Sequence, residues 1–200
     1  GFGGQGTSRA VYFAGGCART RIPKLPENYS AELWFWNGLP LDADSRTSCL
    51  LEIQLGPKPD GEAPPPAAQG TPSARHRLCL VQTKDKDCRL AVDVIAGALE
   101  SRALGRSALA ARTWNHVALV CDGKRLVVYL NGRQQREIEV ALPAAFPGGE
   151  ADLVLANSGD GKQPLEGKVD ELALFDRALQ AEEIARHYKA AVEVSAGGQD

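Results

Sequence analysis

The sequence predicts an all-β protein of antiparallel sheets with one short helix near its C terminus. Short segments rich in Val, Leu and aromatic residues recur along the chain, divided by Gly, Pro, Asp and Asn, the signature of strands and turns. Two dipeptides, Asp122-Gly123 and Asn131-Gly132, separate alternating apolar runs, and such pairs tolerate the positive φ of tight hairpin turns. Helical spacing occurs in one stretch, Gln180–Ala191, so the strands follow one another directly and not through βαβ crossovers.

Taken in order, the first eight residues, GFGGQGTS, contain a formal GxGxxG. A dinucleotide fingerprint needs a strand before it and a helix after it; here the extended segment RAVYFAG follows, and residues 1–8 read as a flexible Gly-rich tail. Strands are expected at Ala10–Ala14, Tyr29–Trp36, Cys49–Leu55, Arg77–Gln82, Cys88–Ile95, Trp114–Cys121, Lys124–Leu130, Arg133–Val140, Asp152–Ala156 and Lys168–Phe175. Residues 56–76, dense in Pro, Ala and Gly and without periodicity, read as an inserted surface loop leaning towards polyproline II, and it includes His76. Lys84–Asp87 reads as a charged hairpin tip. In the helix, acidic residues fall in the first turn and basic ones later, with Ile184, His187/Tyr188 and Ala191 on one stripe. A single domain is expected over residues 9–191, with 192–200 as a tail or linker.

The stretch 113–140, TWNHVALVCDGKRLVVYLNGRQQREIEV, carries most information. With two-residue loops, Cys121 pairs with Lys124 and Leu130 with Arg133, which sets the register of a three-strand meander. Leu119 then lies opposite Leu126 and Val117 opposite Val128. With Cys121 and Leu130 they form a wholly aliphatic face, which belongs in the core. The other face carries Trp114, His116, Ala118 and Val120, with His116 across from Tyr129, Gln134 beside Tyr129 and Arg136 beside Val127. Aromatic rings, an imidazole, an amide and a guanidinium on one face can stack against and hydrogen-bond a sugar or a peptide. Equally, Trp114 and His116 can simply brace the sheet.

Composition narrows the function. A net charge of -2 argues against a chain that works by neutralising phosphates, so no nucleic-acid partner is expected. No apolar run reaches the ~18–20 residues of a membrane span, so no membrane insertion is expected either. Methionine is absent, including at position 1, so a fragment or processed product is expected. Five cysteines without any CxxC argue against a zinc knuckle or a thioredoxin-like pair. Buried thiols are the plain reading, and one or two disulfides stay open if the protein is exported.

The ordered elements SAELWFW, TWNHVAL, DGKRLVVYLNGR and EGKVDELALFDRALQAEEIARHY resemble the laminin-G-like jelly roll of the concanavalin A-like lectin/glucanase superfamily, over about residues 9–190. The resemblance implies a two-sheet antiparallel sandwich, one sheet concave, with a short helix after the last strand. It also implies a recognition module for glycans or surface proteins within a larger exported, bacterial-type multidomain protein, hence an extracellular, periplasmic or cell-surface location. Many members of the superfamily hold one calcium ion. Carried over, its ligands here would include Asp170 and the backbone carbonyl near Gly15, although Ala14 stands where an aspartate is common and two donors fall short of the six to eight oxygens calcium takes.

Catalysis is not expected. Glycoside cleavage needs two carboxyl groups about 5–9.5 Å apart, met on a strand by carboxylates at i, i+2 or i, i+4. Asp170 and Asp176 share a face but lie about 20 Å apart at ~3.3 Å per residue. Glu137 and Glu139 alternate on a strand polar on both sides, which reads as a solvated edge. No GxSxG, HExxH or P-loop is present. The reading is thus a non-catalytic module that binds carbohydrate or protein through Trp114, His116, Tyr129, Gln134 and Arg136. The alternatives are a structural domain docking onto neighbouring domains of the parent chain and, as a minor one, a glycoside hydrolase-like enzyme.

Overall fold

The computed structural model describes residues 10–38, 45–56, 74–84, 87–143 and 148–196. Twelve strands and one helix follow in the order β1 (Val11–Ala14), β2 (Ala18–Leu25), β3 (Asn28–Asn37), β4 (Thr47–Leu55), β5 (Ala74–Gln82), β6 (Cys88–Ala96), β7 (Leu99–Leu104), β8 (Trp114–Asp122), β9 (Arg125–Leu130), β10 (Arg133–Ala141), β11 (Gly149–Leu155), β12 (Glu166–Phe175) and α1 (Ala181–Ala196). They form two six-stranded antiparallel sheets, β1-β12-β3-β8-β9-β10 and β2-β11-β4-β5-β6-β7. The core lies between them: Leu33, Phe35, Val117, Leu119, Val128 and Val169 come from the first sheet, and Leu51, Ile53, Leu78, Leu90, Val92 and Leu153 from the second. This is the jelly-roll sandwich the sequence predicts.

Two strands were not legible in the sequence. β2 (ARTRIPKL) and β7 (LESRAL) are the two edges of the second sheet, and both are largely exposed. An edge strand with Arg, Lys and Pro protects itself from pairing with other chains, and it carries no apolar alternation to detect. The last residues of the expected 56–76 loop also differ from expectation: Ala74, Arg75 and His76 belong to β5. Residues 57–73 lie outside the described residues, as do residues 1–8, residues 85–86 of the charged tip and residues 197–200. The helix runs on to Ala196, so most of the expected tail is helical.

His76 is 2 % exposed and faces the core, where its Nδ1 lies 2.5 Å from the hydroxyl of Tyr29. That hydrogen bond joins β3 of one sheet to β5 of the other. Burial pushes the Tyr29 hydroxyl well above its usual range and lowers the His76 imidazole to about 4, so both groups are neutral at pH 7, as a pair inside a core must be.

The central meander keeps its faces but not its register. Cys121 pairs with Leu126, Leu119 with Val128 and Val117 with Leu130, two residues beyond the expected partners. The turn is centred on Gly123-Lys124, because the Asp122 carboxylate accepts hydrogen bonds from the Lys124 and Arg125 amides at 3.1 and 3.0 Å. Asp122 therefore flanks the turn and Gly123 (φ 79°) supplies its positive φ. A slip of two residues leaves each side chain on its expected face. The second turn is as predicted: Asn131 and Gly132 have φ of 50° and 75°, and Leu130 pairs with Arg133.

Candidate functional site

The outer face of the first sheet is organised in rows, since residues paired across strands share a face. Tyr12 of β1 pairs with Lys168 of β12, Lys168 with Trp36 of β3, and Trp36 with Trp114 of β8. Four adjacent strands, about 4.8 Å apart, thus present three aromatic rings and one ammonium group along a line of about 14 Å. Tyr12 is 53 % exposed; Trp36, Trp114 and Lys168 are half-buried. The Lys168 ammonium lies 5.1 Å from the centre of the Trp36 ring, a cation–π contact. Two glycines seat that indole. A Cβ on Gly38 would lie 3.0 Å from the ring's Cζ3, and one on Gly167 would collide with the Trp36 carbonyl oxygen. The glycine of EGKVDEL is therefore required by the backbone of Trp36.

The next rows are covered. Trp34 pairs with His116, and Glu32 with Ala118, which pairs with Tyr129. α1 lies over them: Ile184 is fully buried against Ala118, Val120, Val127 and Tyr129 together with Leu179, and Tyr188 stacks on Trp34 at 5.8 Å. The approach to α1 is pinned by Ser30, whose hydroxyl donates to the Arg177 carbonyl at 2.9 Å and accepts from the Leu179 amide at 2.9 Å. At the helix start, Glu183 accepts from the Gln180 amide and from the Arg177 guanidinium at two nitrogens, half of a capping box. These bonds hold the Glu183 carboxyl down at about 2.

Beneath the helix, Glu32 Oε2 meets His187 Nδ1 at 2.8 Å and lies 4.0 Å from His116 Nε2. Burial raises the Glu32 carboxyl, partly offset by His187, and lowers the His116 imidazole to about 4. Glu32 Oε1 and His116 Nδ1 are buried and make no hydrogen bond within the protein.

The residues singled out by sequence therefore separate. Trp114 joins the open row. His116, 3 % exposed, and Tyr129, 8 % exposed, lie beneath α1. His116 is not across from Tyr129: its carbonyl accepts from the Asn131 amide and its own amide donates to Asn131 Oδ1. Gln134 pairs with Tyr129 as expected and is exposed, but Arg136 does not sit beside Val127. A bulge between Gln135 and Glu139 brings Glu139 to Val127, where its carboxylate and that of Asp122 both hold Arg125.

The two donors carried over for calcium do not converge. The Gly15 amide bonds the Leu165 carbonyl, and its own carbonyl accepts from Asn157 Nδ2 at 3.4 Å. Asp170 sits five residues further along β12, about 16 Å at 3.3 Å per residue. There its carboxylate accepts from the Glu171 amide at 3.0 Å, in a bulge where Glu171 takes φ 50°. Calcium–oxygen bonds of 2.3–2.6 Å cannot span that separation. Among the described residues, no group of three or more His, Cys, Asp and Glu side chains is placed to hold a metal ion.

The outer face of the second sheet carries a feature missed in the sequence. Glu52, Arg77, Asp93 and Arg102 are consecutive cross-strand neighbours on β4 to β7. Arg77 is paired with Glu52, and Arg102 grips Asp93 at 2.5 and 2.7 Å. Glu52 and Asp93 are fully buried. Part of the signal was present: Glu52 in LLEI and Asp93 in AVDVI each interrupt an apolar run, which predicts a charged partner in the sheet.

Among the described residues, no helix is long and apolar enough to cross a membrane. No curated protein sequence matches the chain. Solved structures share its fold. Domain 4 of AbnA, a GH43 extracellular arabinanase from Geobacillus stearothermophilus in complex with arabinotriose, aligns over 88 % of this chain and 75 % of its own, with a TM-score of 0.54 and 22 % identity. The CBM40 of the Ruminococcus gnavus IT-sialidase, bound to α2,3 sialyllactose, aligns over 88 % and 99 %, with a TM-score of 0.56 and 12 % identity. Trypanosoma rangeli sialidase aligns over 96 % of this chain but only 28 % of its own, with a TM-score of 0.62 and 15 % identity. The Laminin_G_3 family model matches residues 65–185, more than half of the sequence, and the chain thus belongs to that family of the concanavalin A-like lectin/glucanases superfamily.

Proposed function

We propose that the chain is a non-catalytic carbohydrate-recognition module whose sugar-contacting surface is the row Tyr12, Lys168, Trp36 and Trp114. The observation that carries this reading is the row itself: three rings in cross-strand register, Tyr12 exposed and Trp36 and Trp114 half-buried, beside the rows that α1 covers. Flat apolar rings bordered by a hydrogen-bond donor suit the apolar face and the hydroxyls of a sugar. The arabinotriose and sialyllactose complexes of domains with this fold agree with a glycan ligand, and a glycan partner agrees with an exported or surface location. The proposal requires no metal.

The test is a glycan array followed by titration calorimetry on the best hit, with wild type, Tyr12→Ala, Trp36→Ala and Gln134→Ala. Loss of a stacking ring should weaken binding at least tenfold, about 1.4 kcal/mol, while Gln134→Ala, away from the row, leaves it unchanged. Tight binding by a folded Trp36→Ala protein would refute this placement. A second reading, docking onto another domain, is favoured by the exposed apolar side chains Val11, Leu172 and Leu174 on β1 and β12. It would gain from an array without hits together with a stable complex with a neighbouring domain.

A further inference from the structure

Cys49 of β4 and Cys79 of β5 are direct cross-strand partners, and both side chains point away from the core into a small cluster with Ala91 and Val81. The kind of pairing follows from the backbone. The Cys49 amide donates to the Gln163 carbonyl at 2.8 Å, on the side away from β5. In an antiparallel sheet a residue's N–H and C=O point to the same neighbour, so Cys49 and Cys79 form a non-hydrogen-bonded pair, with Cα atoms about 4.5 Å apart and side chains at their closest. A disulfide takes Cα separations of about 4.4–6.8 Å. The Cys79 thiol donates to Asp93 Oδ2 at 3.8 Å and shares its buried cluster with the Cys49 thiol. Just beyond them, the register shifts between Cys49 and Leu51, which places both Leu50 and Leu51 in the core and fixes Cys49 on the outer side. The other three cysteines are disposed differently: Cys17 is exposed, and Cys88 and Cys121 point into the core.

We infer that Cys49 and Cys79 are a disulfide site, a cross-strand link closed when the chain folds in the presence of a low-molecular-weight disulfide such as oxidised glutathione. One thiolate attacks the small disulfide, breaking its S–S bond and releasing one small thiol. The second protein thiol then displaces the other small thiol from the mixed disulfide. Two S–H bonds are lost, one protein S–S bond forms, and the two electrons and two protons leave on the two small thiols. Both thiols are fully buried once the sheet is complete, and the neighbouring Cys79 thiol, together with burial and Glu52, holds the Cys49 thiol well above its usual range. Closure therefore belongs to folding, when the thiols are accessible, and the finished reduced protein oxidises slowly.

The experiment is to refold reduced full-length protein in a glutathione redox buffer, block remaining thiols, and digest without reduction. Trypsin cuts after Arg75 and Arg77 and so separates the two cysteines. The expected product is a linked pair of peptides containing Cys49 and Cys79, two hydrogens lighter than their sum, with Cys17, Cys88 and Cys121 recovered as blocked thiols. The oxidised protein should melt on the order of 10 °C above the reduced one, a difference that Cys49→Ala and Cys79→Ala each abolish. All five cysteines recovered as thiols, or Cys49 or Cys79 linked to a different cysteine, overturns the inference from wild type alone, whatever the variants do.

Discussion

Acid should destabilise this protein through two imidazoles that the fold buries neutral. His76 and His116 are 2 % and 3 % exposed, and burial lowers each from 6.5 to about 4. Unfolded imidazoles take up protons as the pH falls through about 6.5, whereas the folded ones do so only near 4. Between those limits the unfolded state holds more protons, so stability rises with pH across the window and is lost as pH falls through it. At about 1.4 kcal/mol per unit, each group is worth roughly 3 kcal/mol by pH 4. Glu32 acts in the opposite sense, because its raised carboxyl stabilises the fold most when protonated, and its charge also eases protonation of His116 at 4.0 Å. The net loss between pH 7 and pH 4 should thus be about 3–6 kcal/mol, much of the 5–15 kcal/mol that typical domains possess. Urea titrations from pH 7 to pH 4 should show the midpoint falling at constant m, most steeply between pH 6 and 4.5. His76→Gln keeps a hydrogen-bonding side chain for Tyr29 but cannot titrate, and should remove about half of the slope. A midpoint independent of pH over this range would refute the argument.

Two further outcomes follow from the packing. Ile184→Ala removes the fully buried anchor of α1 and should cost about 3 kcal/mol, seen as a lower urea midpoint, a red-shifted Trp34 emission and faster tryptic cleavage at Arg186 and Lys189. Gly167→Ala drives a Cβ into the Trp36 carbonyl oxygen and should cost about 2 kcal/mol, with a lower melting temperature and weaker glycan binding together, since the displaced residue is part of the open row.

Strand parity was legible in the sequence because it depends only on alternation. The aliphatic faces of β8 and β9, Val117, Leu119, Cys121, Leu126, Val128 and Leu130, all lie in the core, even though the hairpin slipped by two residues when Asp122 flanked the turn instead of entering it. Partners across strands were less legible. The Gln135–Glu139 bulge leaves no mark on a polar edge strand, and Arg136 was misplaced for that reason. β2 and β7 were missed because edge strands are chosen for charge and not for alternation. The Pro-rich composition before His76 masks a β5 that begins at Ala74, so the sequence alone places His76 in the loop.

What alternation cannot report is which part of an outer face is covered, and there the chemistry of each row decides. Ala118, Val120, Val127 and Tyr129 would leave an open apolar patch on an outer sheet face, which a soluble domain normally buries. The one amphipathic helix in the sequence, with Ile184 and Tyr188 on its stripe, is the element able to cover them. Once it does, Glu32, Trp34 and His116 pass beneath it, and Glu32 gains His187 as a partner. The row beyond keeps its aromatic rings but carries Lys168 among them, so it tolerates water where the apolar rows do not. Trp114 and His116 stand two residues apart on one strand face and yet have different fates. The division falls at the edge of α1: His116 passes beneath it, and Trp114 lies beyond it in the row of Tyr12, Lys168 and Trp36.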